Sequence, residues 1–247
     1  MRHLRHSAGR QLSSACMEEG QPGSPKGSNR TGNPAIGTLS WQSFQERDPT
    51  GYRKLVTSVM RDDFTFTDCK ALKNLSPLSQ WSTDSLTNTS EMFKGCSNLV
   101  TLTGLNNWNV SKVKNTSSMF LMCKSISNVD ELSGWKTGNI TDMSGMFTSC
   151  ISPVNVNGLL NWDTGKVTTM QGTFAGCTSL DNLDGLSIWN TERVTTMMTM
   201  FGPTYDLDNG STRYYTKSIT TLDALANWNT SKVMYMELYV CRVQKSE

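Results

Sequence analysis

Histidine is nearly missing from this chain: of 247 residues only His3 and His6 carry an imidazole, and both lie in the opening stretch. A body without imidazole lacks the usual general base for work near neutral pH. Cys-x-x-Cys pairs and glycine-rich phosphate loops are missing as well, so no metal and no cofactor is expected. No apolar run approaches the roughly 20 residues of a membrane-spanning helix. The basic start Met1-Arg2-His3-Leu4-Arg5-His6 has no apolar stretch behind it, so no signal peptide is visible; Leu12-Ser13-Ser14-Ala15-Cys16 makes a poor lipoprotein box for the same reason. Charged residues are only 18% of the chain and the net charge is +2. No Lys/Arg stripe is apparent, which argues against nucleic acid as a partner.

What is present is a ruler. Trp81, Trp108, Trp135, Trp162 and Trp189 are each 27 residues apart, and Trp228 follows after 39. The same step carries Phe66, Phe93, Phe120, Phe147, Phe174 and Phe201, and also Cys69, Cys96, Cys123, Cys150 and Cys177. Leucine stands three before every one of these tryptophans, from Leu78 to Leu225. Further apolar columns fall six and nine residues before the tryptophans and five and eleven after them. One copy cannot bury so much apolar surface alone, whereas stacking like on like makes a continuous core. The expected fold is a right-handed leucine-rich-repeat-like β-solenoid with short helical segments, built from 27-residue repeats.

The organisation follows from where the period holds. Residues 1–38, rich in Arg, Ser, Gly and Pro, read as a disordered tail. Residues 39–58 read as a helical cap over the first coil, which an open repeat end requires. The repeats run over 59–240, and 241–247 form a C-terminal tail. The 12 surplus residues between Trp189 and Trp228 are placed near 208–218, as an inserted loop holding Asn209-Gly210 and Arg213-Tyr214-Tyr215.

Strings such as Val167-Thr168-Thr169-Met170, Asn161-Trp162-Asp163-Thr164 and the run from Gly172 to Leu180 carry a resemblance. From Val59 to Val240 the chain resembles BspA-type leucine-rich-repeat surface proteins, in the Mycoplasma-lipoprotein repeat class. The resemblance implies a cell-surface or extracellular location, a role in adhesion or in binding host and matrix proteins, and no catalysis.

Several columns bear on function. Asp130, Asp184 and Asp223 stand five residues before a tryptophan, with Asn157 in the same column. A general acid and base pair needs two carboxyls in unlike environments, but column-mates share one, so the column reads as a surface. Beside it run Asn74, Thr101, Asn128, Asn155, Asn182 and Thr221. If the residues between the leucines form strands, these positions make a polar ridge about 25 Å long, at roughly 4.8 Å per coil. A protein or glycan ligand is expected there, with Arg213, Tyr214 and Tyr215 of the loop as further anchors. The alternative from another class is an intracellular or structural scaffold. Thr83, Thr137, Thr164, Thr191 and Thr230 form another column, and on a flat face they would suit ordered water, as in ice binding. Asn-x-Ser/Thr triplets open at Asn29, Asn74, Asn88, Asn109, Asn115, Asn139, Asn209 and Asn229, and composition accounts for them in preference to glycosylation. The cysteine column reads as small buried hydrophobes in preference to a disulfide ladder.

Overall fold

A period of three residues governs the fold. Val129, Leu132 and Trp135 are spaced by three, as are Phe120, Cys123 and Ile126 ahead of them. That is the pitch of a 3-10 turn, in which every third side chain falls on one face. A computed structural model describes residues 66–153, 155–205, 213, 214, 216 and 218–237. The expected tail, helical cap and C-terminal tail lie outside the described residues.

Within each copy the inward residues bond to one another along the chain. The N–H groups of Cys123, Ile126, Leu132 and Trp135 donate to the carbonyls of Phe120, Cys123, Val129 and Leu132, each three residues back. Where the turns are regular they form short 3-10 helices: η1 (Ser76–Gln80), η2 (Asp130–Leu132), η3 (Asn157–Leu159), η4 (Asp184–Leu186) and, in the last copy, η5 (Asp223–Leu225). Where a strand was expected between the spaced leucines there is a turn, with a single parallel bridge between Asn155 and Asn182 beside it. An apolar spacing of three cannot alternate faces with the period of two that a strand demands.

A second segment bonds from copy to copy. Thr89, Glu91, Phe93 and Gly95 donate their N–H groups to the carbonyls of Asn115, Ser117, Met119 and Leu121, and Thr116, Ser118, Phe120 and Met122 repeat this on the following copy. Parallel bridges run through Asn88, Asn115, Asp142, Thr169, Thr196 and Tyr235. Every fourth residue in this segment lies in the left-handed region: Glu91 and Ser118 have φ of 59° and 56°, and Gly145 and Gly172 take the same place. Left-handed backbone costs a non-glycine residue roughly 1 to 2 kcal/mol, which the repeated bonds offset.

The tryptophan, phenylalanine and cysteine columns are the core. Neighbouring phenylalanine rings stack with centroids 5.4 Å apart for Phe66 and Phe93 and 5.7 Å for Phe147 and Phe174. Each buried tryptophan also ties its copy to the preceding one. Trp135 Nε1 donates to Leu105 O at 2.8 Å, and Trp162 Nε1 to Leu132 O at 3.0 Å. The cysteines do likewise: Cys123 Sγ donates to Phe93 O at 3.0 Å and Cys150 Sγ to Phe120 O at 3.1 Å. Cys96, Cys123, Cys150 and Cys177 are free and buried. Burial pushes the Cys96 and Cys177 thiols up to about 12 and raises Cys123 and Cys150 well above their ordinary range.

The threonine column faces inward. Thr83, Thr137, Thr164 and Thr191 are buried; Thr137, Thr164 and Thr191 donate their hydroxyls to the carbonyls of Asp163, Asn190 and Asn229. An ice-matching array on this column is thereby overturned, because its hydroxyls are spent on the backbone of the adjacent copy. Close approach also explains a glycine column. A Cβ on Gly158 or Gly185 would run into the carbonyl of Val129 or Val156 in the preceding copy.

The insertion begins earlier than its sequence placement. Strands β1 (Thr204–Tyr205) and β2 (Arg213–Tyr214) pair antiparallel, with Thr204 opposite Tyr214. Thr216 is already back in the stack and fills the cysteine place, donating its hydroxyl to Phe174 O at 3.2 Å. Ser218 follows, bonded to Thr178 O at 2.9 Å. The surplus is thus 204–215, and the 208–218 placement is corrected, because Thr216 makes the bond of the cysteine place.

Candidate binding surface

The ridge survives the change from strand to turn, because the turn itself projects it. Asn128 Oδ1 accepts the N–H of Asp130, Asn155 Oδ1 that of Asn157, Asn182 Oδ1 that of Asp184, and Thr221 Oγ1 that of Asp223. One polar column therefore braces the start of each 3-10 turn, as short polar side chains do through local backbone bonds. The next column, Asp130, Asn157, Asp184 and Asp223, is exposed. Helices η2 to η5 pack in chain order, so these four side chains form one row.

The same local bond explains most of the Asn-x-Ser triplets. Asn74, Asn88, Asn109, Asn115 and Asn229 each accept the N–H of the serine two residues on. Their spacing is that of a turn cap.

Charge on the ridge is of one sign. Across residues 127–134, 155–161, 181–188 and 220–227 stand Asp130, Glu131, Asp181, Asp184 and Asp223, with no Lys or Arg among them. None is in a salt bridge with another described residue. Glu131 is the odd member, occupying the column that Gly158 and Gly185 fill elsewhere. Its Oε1 accepts the hydroxyls of Thr101 and Thr103, each at 3.0 Å, while Oε2 is buried without a donor.

The loop candidates are less defined. Arg213 and Tyr214 lie on β2, whose partner is β1, and Tyr215 lies outside the described residues. Among the described residues no group of three or more His, Cys, Asp or Glu could hold a metal ion, and no helix is long and apolar enough to cross a membrane.

The sequence reading missed a second charged column. Four residues after the tryptophans stand Lys112, Asn139, Lys166, Arg193 and Lys232, all exposed. Asn139 bridges its neighbours there: Nδ2 donates to Ser111 O at 2.7 Å, and Oδ1 accepts from Lys166 Nζ at 2.6 Å. These cations are also outside any salt bridge among the described residues. The signal was available, since the tryptophan register finds every column, but one-dimensional scanning for adjacent Lys and Arg does not see residues separated by a whole copy.

Comparison with curated proteins and with solved structures gave no significant match. The family model described as "Mycoplasma protein of unknown function, DUF285" matches twice, over residues 60–153 and 151–240. Those two stretches contain all the stacked copies described above, and the chain belongs to this Mycoplasma-type repeat family.

Proposed function

We propose that this chain is a non-catalytic binding or adhesion module of a cell-surface or secreted protein, BspA-like in kind, which recognises a protein or glycan on its polar face. With it goes the proposal that the stack is a right-handed leucine-rich-repeat-like solenoid. The observation that carries the functional reading is the exposed row Asp130, Asn157, Asp184 and Asp223, braced one by one from the column beside it. A backbone fixed in advance at each of these positions lowers the ordering cost of binding, so a repeated array adds weak contacts efficiently. The rival reading is an intracellular or structural scaffold.

The test is a glycan and extracellular-protein array probed with the full chain, with fractionation of native cells alongside. A ligand whose binding falls when Asp130, Asp184 and Asp223 are replaced by serine, from protein at the cell surface, is the expected result. A broad array without a ligand, joined to a cytosolic location, would replace it with the scaffold.

A further inference from the structure

We propose that the acidic ridge binds the basic column of a second copy of this chain, the two lying side by side and parallel, offset by one repeat. This builds on the ridge as a binding surface and names its partner.

Two observations carry the proposal. First, both columns are exposed, of opposite sign, and without counterions among the described residues. Lys166, Arg193 and Lys232 belong to successive copies, as do Asp184 and Asp223, so like charges recur at roughly the 4.8 Å of bridged neighbours. Like charges in register oppose the stack that holds them. A partner supplying the opposite column relieves both sides together.

Second, the two columns match position by position. Along the stack the basic column reads Lys112, Asn139, Lys166, Arg193 and the acidic one Asp130, Asn157, Asp184, Asp223. Offset by one repeat, Lys112, Lys166 and Arg193 each meet an aspartate, the asparagine meets the asparagine, and Lys232 extends past the end of the acidic column. A second copy has the required spacing automatically, because one stack sets the pitch of both columns. Single-stranded nucleic acid fits less well. It calls for aromatic stacking platforms beside the cations, and the tryptophans from Trp108 to Trp228 are buried. The contact is heterologous, so it stays open-ended and grows with concentration.

Sedimentation velocity of the full chain over a concentration series tests this. Association is expected at low salt and lost at high salt, as the screening length falls from about 30 Å at 0.01 M to about 3 Å at 1 M. Lys166→Glu should weaken it by about five- to tenfold. Adding Asp184→Lys re-forms the offset pair and should restore association to within about threefold of the parent. Adding Asp130→Lys instead gives the same net charge but puts like charges opposite each other at two places, and should weaken association further. Circular dichroism confirms that each exposed substitution leaves the fold intact.

A chain that stays monomeric throughout, or two double variants that behave alike, would overturn the proposal. So would a monomer whose basic column binds immobilised heparin, which assigns that column to an external polyanion. A ridge ligand found on the array by monomeric protein would remove the second copy while leaving the binding module. With neither ligand nor self-association, both readings fall.

Discussion

The copies from Trp108 to Trp189 and the copy at Trp228 share one sequence pattern and differ in what covers them. In the interior, Leu105, Leu132, Leu159 and Leu186 are sealed, whereas their counterpart Leu225 is only partly buried, like Leu222 and Val233 around it. Thr164 is buried with its hydroxyl bonded, while Thr230 is exposed. Met234 and Tyr235 stand 70% and 58% exposed, whereas their counterparts Thr195 and Thr196 in the preceding copy are half-buried. Column residues are sealed most completely between two copies, so the same side chain carries different energy along the stack.

The largest expected effect tests that difference directly. Trp162→Ala should cost roughly 3 to 5 kcal/mol through lost burial, lost stacking and the loss of one of the two donors to the Leu132 carbonyl. Trp228→Ala should cost less, since its outer side has fewer neighbours. Urea melts of both variants decide the point, and equal losses would erase the distinction between interior and end.

Alkaline pH should act on the interior alone. The four buried thiols are raised in the fold, Cys96 and Cys177 from an ordinary 9.0 to about 12. Below pH 9 both folded and unfolded thiols keep their protons, and their contribution is complete. As pH rises from 9 toward 12 the unfolded chain releases protons that the folded chain retains, so stability falls, by up to about 1.4 kcal/mol per pH unit for each thiol. Denaturant midpoints across that range, read with alkylation rates, check this. Rapid alkylation of folded protein at pH 8 would contradict sealed thiols.

Removing one buried hydroxyl is a smaller change. Thr164→Val leaves the Asn190 carbonyl without its donor and should cost about 1 to 2 kcal/mol, whereas Thr230→Val should lie within about 0.5 kcal/mol of the parent. Thermal melts of the pair sharpen the comparison, because chemistry and column are held constant and only the covering copy differs.

The smallest effect is expected where the period breaks. Deleting residues 204–215 joins Pro203 to Thr216, which already fills the cysteine place, and should change stability by less than about 1 kcal/mol. Deleting 208–218 should be worse, as it removes Thr216 and Ser218 with their bonds to Phe174 and Thr178. If the two deletions melt alike, the hairpin boundary is wrong.

Much of this was written in the sequence. The tryptophan, phenylalanine and leucine columns could be read by counting, and so could the acidic row, because a repeat makes equivalent residues neighbours whatever their detailed backbone. The spacing of three that produces the 3-10 turns was also there, but it was overridden by the strand expected of a leucine-rich coil.

Counting determines which residues are equivalent, and it determined that Thr164 stacks with Thr191 and Asp184 with Asp223. It does not determine which way a column faces. Threonine and asparagine suit either side of a coil, and only the partner carbonyl in the adjacent copy decided that Thr164 turns inward while Asp184 turns outward. The same holds for the hairpin, whose length was fixed by arithmetic and whose limits were fixed by Thr216 finding the Phe174 carbonyl. The physical reason is that register is a property of the chain taken alone, whereas burial and hydrogen bonding are settled between copies 27 residues apart, where the competing positions have to be satisfied together.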